Sequence, residues 1–135
     1  MGYTIFWNPQ RFTDYTYNTI LTLIPTVIKC ARFDIYSWGF VIGENEDDSF
    51  AVSRDGNEIP FAKTNRLPYT KDAMKVLILM VEYGVTSNLD HDDEDMRWYL
   101  EALDEVHSIK PLMSYQQQKD YFIKLEAKKR ITNSA

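Results

Sequence analysis

A short basic segment of the chain has the side chains and the position needed to hold an anion. Lys63 and Arg66 come just before a helix that the sequence predicts from Lys71 onwards, and Lys71 itself is a further predicted ligand-binding residue. The first backbone N–H groups of a helix lack intrahelical acceptors and the helix dipole adds positive charge, so this end favours anions. Tyr69 adds a hydroxyl or a stacking face. The predicted ligand is a phosphate, a nucleotide, a nucleic-acid backbone or a carboxylate, with Arg66 offering a bidentate fork.

Arg54 is a further candidate for this anion site because of the turn that follows it. Asp55-Gly56 stands between two segments with apolar side chains, and this pair predicts a hairpin because the turn needs positive φ. A meander that folds back at this turn brings Arg54 towards the basic segment.

A structural interpretation of the same segment stays open. Pro60 and Pro68 stiffen the chain on either side of it. In this interpretation the two basic side chains of the segment pair with internal carboxylates such as Glu58 or Asp72. The question is then whether Lys63 and Arg66 face the protein or an open site.

An acidic segment, residues 90–95, is the second candidate. Dense carboxylates suggest a divalent cation, but an EF-hand loop needs a glycine at its sixth position that this segment lacks. A simpler interpretation is that the positive end of a helix favours carboxylates in its first turn. A third interpretation is an acidic surface that binds a basic host protein or imitates nucleic-acid phosphates. Its predicted contact residues are Asp92, Asp93, Glu94, Asp95 and Glu101.

Residues suited to catalysis are few. Cys30 lies beside Lys29 and near Arg32, a setting that could lower a thiol pKa, yet small thiols on helices more often fill buried space. The histidines, His91 and His107, belong to no nucleophile elbow, phosphate-binding glycine loop or paired zinc motif. The sequence therefore predicts no catalytic residue, no metal and no cofactor, and it disfavours an enzyme.

Composition limits the class of protein. The 135 residues are 44% hydrophobic and 14% aromatic, which is enough for one domain with a packed core. The net charge of −5 argues against attraction of the whole surface to nucleic acid or to an anionic membrane. No run approaches the roughly 20 apolar residues of a membrane span, and the first residues do not resemble a secretory signal. A single cysteine fits a reducing, cytoplasmic setting, and self-association stays open.

Periodicity and helix-breaking residues predict four helices. Thr13 caps the first, which Pro25 should kink or break because proline removes a backbone hydrogen bond. Thr70 caps the second, residues 71–83, which is apolar nearly all round and therefore belongs in the middle of the domain. A third helix opens at residues 90–95, and a fourth covers the C-terminal part of the chain.

Strand patterns surround the first two helices. Aromatic and β-branched side chains predict a strand at residues 3–7. The pattern from 33 to 62 is strand-like, with an uninterrupted run at 35–42, and predicts an antiparallel meander. Pro60 cannot donate a ladder hydrogen bond, which places residues 58–62 at an edge or a bulge. A short strand is also expected near residues 85–89.

Residues 61–70, FAKTNRLPYT, carry a resemblance to a known family. They resemble the FCKTxRxPYD signature of a small uncharacterised protein family of phage and bacterial genomes, which has no established activity. Weaker likeness extends over Tyr3 to Val106. Ala62 stands where the family has cysteine and Thr70 where it has aspartate. The resemblance implies a viral or phage accessory protein and supplies no mechanism.

The combined expectation is an α+β fold in which one domain covers residues 1–127. An antiparallel meander sheet of about four or five strands packs on a central buried helix and further helices. Residues 128–135 form a basic, then polar, tail that is expected to fray. The leading hypothesis is a non-enzymatic binding protein for an anionic ligand, and the alternative is an acidic interaction factor or inhibitor of a host protein.

Overall fold

The computed structural model describes residues 4–8, 10–30, 32–46, 49–57, 61–63, 69–86, 90–91 and 97–134. Side chains are described for these residues except 4, 6, 61–63, 90–91, 97 and 129–134. In chain order the elements are β1 (Thr4–Phe6), α1 (Asp14–Val27), β2 (Arg32–Tyr36), β3 (Gly39–Gly43), β4 (Ser49–Ser53), β5 (Phe61–Lys63), α2 (Tyr69–Glu82), β6 (Asp90–His91), α3 (Arg97–Ile109) and α4 (Tyr115–Ser134). The α+β class is confirmed.

The predicted meander is present but contains three strands, β2-β3-β4, all antiparallel. The expected sheet of four or five strands is wrong, because β5 does not join it. Instead β5 pairs with β1, and β1 also pairs with β6, giving a second three-stranded antiparallel sheet in the order β5-β1-β6. The predicted edge position of the segment around Ala62 agrees with β5 at the edge of this sheet.

The turn after β4 contacts the N-terminal segment. Gly56 has φ +78°, as the Asp55-Gly56 pair predicts. The carbonyl of Arg54 nevertheless accepts the N–H of Phe12, and Gly56 packs against the backbone of Gln10. The N-terminal segment thus contacts the backbone of the turn at the end of β4.

The central buried helix is confirmed as α2. Its residues from Ala73 to Met80 are all buried, and those that are apolar are fully inaccessible to water. One core joins α2 to the inner faces of both sheets and to α1, α3 and α4. Among the helices that the structure describes, none has the length and apolar character needed to cross a bilayer.

The helix boundaries correct several predictions. Thr13 caps α1 as expected, its hydroxyl accepting the N–H of Thr16, but Pro25 does not end the helix, which continues to Val27. Thr70 is not a cap, because α2 already begins at Tyr69.

Two further boundaries differ near the C-terminal half. The backbone at residues 90–91 is strand β6 rather than the start of a helix, and α3 begins at Arg97. Residues 85–86 are not a strand, and residues 87–89 and 92–96 lie outside the described part. The backbone of α4 is helical to Ser134, and the fraying predicted from residue 128 stays a prediction.

Candidate binding cleft beside the start of α1

The residues predicted to bind an anion lie in different parts of the fold. The backbone of Lys63 lies in β5, while its side chain and the whole of Arg66 are outside the described residues. Tyr69 is fully buried in the core, so its ring does not face solvent. Lys71 and Arg54 are described completely and line two separate clefts.

Lys71 is neutralised by two carboxylates of α3. Its ammonium lies 2.8 Å from Glu101 Oε2 and 3.7 Å from Glu105 Oε1. The hydrogen bond to Glu101 raises the pKa of Lys71 above its ordinary value. Lys71 from the predicted anion site and Glu101 from the predicted acidic surface therefore pair with each other. Asp92, Asp93, Glu94 and Asp95 of that surface lie outside the described residues.

The cleft around Lys71 is a polar junction of α1, α2 and α3. Lys75, which is 1% exposed, donates to the carbonyl of Val27 over 2.9 Å and lies 2.9 Å from Glu105 Oε2. Asp72 is also buried and accepts the N–H of Lys29, just beyond the end of α1. Proximity to Lys75 lowers the pKa of Glu105. These oppositely charged groups lie within ion-pair distance of one another and join three helices, which is a structural role.

Cys30 and His107, two residues considered for reactivity, are engaged in contacts within the protein. Cys30 is half-buried, and burial together with nearby Asp72 raises the pKa of its thiol. The neighbouring cations, Lys29 and Arg32, do not reverse this direction. His107 Nδ1 accepts the N–H of Leu112, and the His107 ring stacks on Tyr115 at 4.1 Å. The described residues contain no group of three or more metal-ligating side chains placed to hold an ion.

A third cleft, of about 330 Å³, lies between the end of α2 and α4. Tyr99 donates to the buried side chain of Gln118, which in turn donates to Ser114 Oγ and to the carbonyl of Ile78. Ser114 Oγ donates to Glu82 over 2.6 Å. These polar groups are engaged within the protein, and they lock α4 against α2 and α3.

Arg54 occupies a different kind of position. Its guanidinium lies 4.4 Å above the ring of Tyr17, which holds it by a cation–π contact. Its Nη2 atom donates to Asp14 Oδ1 over 2.8 Å. Asp14 is 90% exposed, whereas Tyr17 is buried. One side of the guanidinium is therefore held by the core, and among the described residues the other side is paired with the solvent-exposed carboxylate of Asp14.

Arg54 opens onto a surface cleft of about 320 Å³ beside the start of α1. Arg11 supplies a second cation there, is exposed, and makes no ion pair with any other residue that the structure describes. Asp55 is less available to pair with the two arginines, because hydrogen bonds from Ser53 and Asn57 hold it in the turn. The same hydrogen bonds lower the pKa of Asp55. The cleft is lined by Arg11, Phe12, Asp14, Ser37, Trp38, Arg54 and Asp55.

Trp38 is a lining residue of the cleft and carries an exposed indole. Its indole is stacked on Tyr36 with the ring centroids 5.3 Å apart and the planes 5° apart. Trp38 is 47% exposed and Tyr36 is 41% exposed. Arg54 was found from the sequence, whereas Arg11 and Trp38 were missed. Trp38 was missed because residues 35–42 have the pattern of one strand. Gly39, directly after the Ser37-Trp38 turn, is the signal that could have divided this run into two strands.

The fold and the cleft define an α+β protein with one hydrophobic core and a surface cleft that combines two arginines with an exposed aromatic stack. In comparisons with family models, with curated proteins and with solved structures, no match to this chain is found.

Proposed function

We propose that the protein is a non-enzymatic binding protein that holds an anionic group, such as a phosphate, in the cleft of Arg54 and Arg11 beside the start of α1. The observation that supports this proposal is the placement of Arg54. Its guanidinium is positioned in advance by the ring of Tyr17 and faces an open cleft. A pre-positioned guanidinium loses little conformational freedom when it binds an oxyanion through two parallel hydrogen bonds.

Asp14 already shows how an anion sits on Arg54, with one carboxylate oxygen 2.8 Å from Nη2. An ion pair this exposed contributes at most about 1 kcal/mol, so a phosphate can displace the carboxylate at small cost. The first position of α1 lies in the cleft lining, where the positive helix end adds to the attraction. Arg11 provides the second charge that a dianionic phosphate requires.

The proposed ligand is an anion, as the sequence predicts, but the proposed site is the cleft beside the start of α1 instead of the segment before α2. Lys71 faces Glu101, and Tyr69 is buried, so the start of α2 offers these two side chains to the protein itself. Ligand binding by Lys63 and Arg66 stays a prediction. The acidic partner surface at residues 92–95, the phage or viral setting and the cytoplasmic location also stay predictions.

Titration with inorganic phosphate, followed by amide NMR shifts, tests the proposal. Arg54→Gln should weaken phosphate binding by about tenfold or more, because it removes a charged hydrogen-bond donor. Asp14→Asn should strengthen binding, because it removes the internal competitor. Lys124→Ala is the matched control for charge, since this exposed lysine lies on α4 away from the cleft lining, and it should leave binding unchanged.

Unchanged phosphate affinity in a folded Arg54→Gln variant contradicts the proposal, as does phosphate binding that all three substitutions alter equally. Binding should also weaken with added sodium chloride, because an exposed anion site is screened by salt.

A further inference from the structure

The exposed aromatic stack in the cleft is not needed to hold a phosphate. Tyr36 and Trp38 leave large ring surfaces in contact with water, although burial of apolar surface is favourable. Tyr36 is the last residue of β2, and Trp38 lies in the tight turn between β2 and β3. The carbonyl of Trp38 accepts the backbone N–H of Arg54 over 2.9 Å. A backbone hydrogen bond therefore joins the residue that carries the indole to the residue that carries the guanidinium.

The two rings are stacked, and nearly half of Trp38 stays open to solvent. The planes of Tyr36 and Trp38 are 5° from parallel and their centroids are 5.3 Å apart, so Tyr36 covers part of one face of the indole. Trp38 is among the residues that line the same cleft as Arg11 and Arg54. A planar ring stacked on the indole would then stand close to an anion on the two arginines.

The size and charge of the protein decide between one nucleotide and a strand. A cleft of about 320 Å³ is at the small end of ligand sites, which span roughly 300–1,000 Å³. A nucleic-acid strand needs a longer track of cations, and the net charge of −5 repels a polyanion. Arg32, the next cation along the hairpin, is already paired with Asp34 over 2.5 Å.

We infer that the ligand is a mononucleotide, with its phosphate on Arg54 and Arg11 and its base stacked on the exposed indole of Trp38. This inference rests on the proposed anion-binding function and adds the base to it. Base stacking on an aromatic side chain tightens binding by roughly tenfold or more. A nucleoside monophosphate should accordingly bind about tenfold more tightly than the same sugar phosphate without its base.

Calorimetric titrations with inorganic phosphate, ribose 5-phosphate, adenosine and AMP test the inference. In the native protein AMP should bind about tenfold more tightly than ribose 5-phosphate. Trp38→Leu should remove this difference between AMP and ribose 5-phosphate, while Trp38→Phe should retain most of it, because phenylalanine keeps a ring. Arg54→Gln should weaken AMP and ribose 5-phosphate equally. Trp38 is half-exposed in a turn, so these variants are expected to fold.

The outcomes separate the two proposals. Equal affinity for AMP and ribose 5-phosphate overturns the mononucleotide inference and leaves the anion-binding function standing. Absence of binding by phosphate, ribose 5-phosphate and AMP overturns both. Adenosine that binds as tightly as AMP overturns the anion-binding function. A single-stranded oligonucleotide that binds far more tightly than AMP overturns the inference in favour of a strand.

Discussion

The backbone N–H of Arg54 donates a hydrogen bond to the carbonyl oxygen of Trp38 over 2.9 Å. This bond joins the end of β4 to the turn between β2 and β3. The guanidinium and the indole of the cleft therefore start from adjoining points on the main chain. The carbonyl of Arg54 accepts the N–H of Phe12, which brings the segment that carries Arg11 to the same place. The geometry of the cleft depends on the turn that follows Arg54.

Gly56→Ala should destabilise the protein by about 2 kcal/mol or more. Gly56 has φ +78°, which costs an alanine about 1–2 kcal/mol, and a Cβ there would lie 2.9 Å from the carbonyl carbon of Gln10. Gly84→Ala is the matched control, because its φ is +75° but a Cβ meets nothing within 4 Å. Urea unfolding should show the larger loss for Gly56→Ala. Equal losses would show that the contact with Gln10 is not tight.

The sequence was sufficient for the elements whose signals are local. The apolar run of α2 predicts a buried helix, and Asp55-Gly56 predicts the positive φ that Gly56 has. The partner of β5 was not predictable, because strands of three residues carry little pairing information and β1 is remote in sequence. Pairing between short remote strands depends on the packing of the whole domain.

The candidate site was predictable in the same partial way. Arg54 stands out because it adjoins a turn signal. Lys71 has the same charge, yet its role is decided by Glu101, a residue 30 positions away on another helix. No local pattern reports a pairing of that kind. The placement of Arg11 beside Arg54 likewise depends on a hydrogen bond between Phe12 and Arg54.

Lys75→Met should destabilise the protein by about 3 kcal/mol, because removing one partner leaves buried polar groups without compensation. Glu105, Asp72 and the carbonyl of Val27 are the groups that would lose the ammonium. Lys71→Met is the control on the same helix. Lys71 contacts Glu105 as well, but the Lys71 side chain is 27% exposed. The Lys71→Met substitution should therefore lower the free energy of unfolding by less than about 1 kcal/mol. Urea unfolding of both variants measures the difference, and similar losses would contradict the assigned role of Lys75.

Glu82 should make stability sensitive to acid. Burial raises the pKa of Glu82, but hydrogen bonds from Ser114 and Met113 outweigh it and lower the pKa below 4.5, the ordinary glutamate value. A carboxyl with a lowered folded pKa contributes stability that is fully present above the unfolded pKa and is lost as the pH falls through the folded value. Stability should therefore fall as the pH drops below about 4.5.

Glu82→Gln tests this dependence by removing the titrating group at the end of α2 that accepts hydrogen bonds from the residues just before α4. Its deficit in unfolding free energy relative to the native protein should be largest near neutral pH and should shrink in acid. Glu46→Gln, at an exposed position after β3, is the control and should follow the native curve. A Glu82→Gln deficit that does not change with pH would show that the carboxylate charge is not what stabilises this junction.

Cys30 should react slowly with alkylating reagents in the folded protein. The thiolate is the reactive form, and burial together with Asp72 raises the pKa of this thiol, which also donates to the carbonyl of Arg32. At neutral pH, iodoacetamide should modify the folded protein about tenfold or more slowly than the urea-unfolded chain. Because the chain has one cysteine, mass spectrometry follows a single adduct. Faster reaction in the folded state would indicate that Lys29 and Arg32 activate the thiol after all.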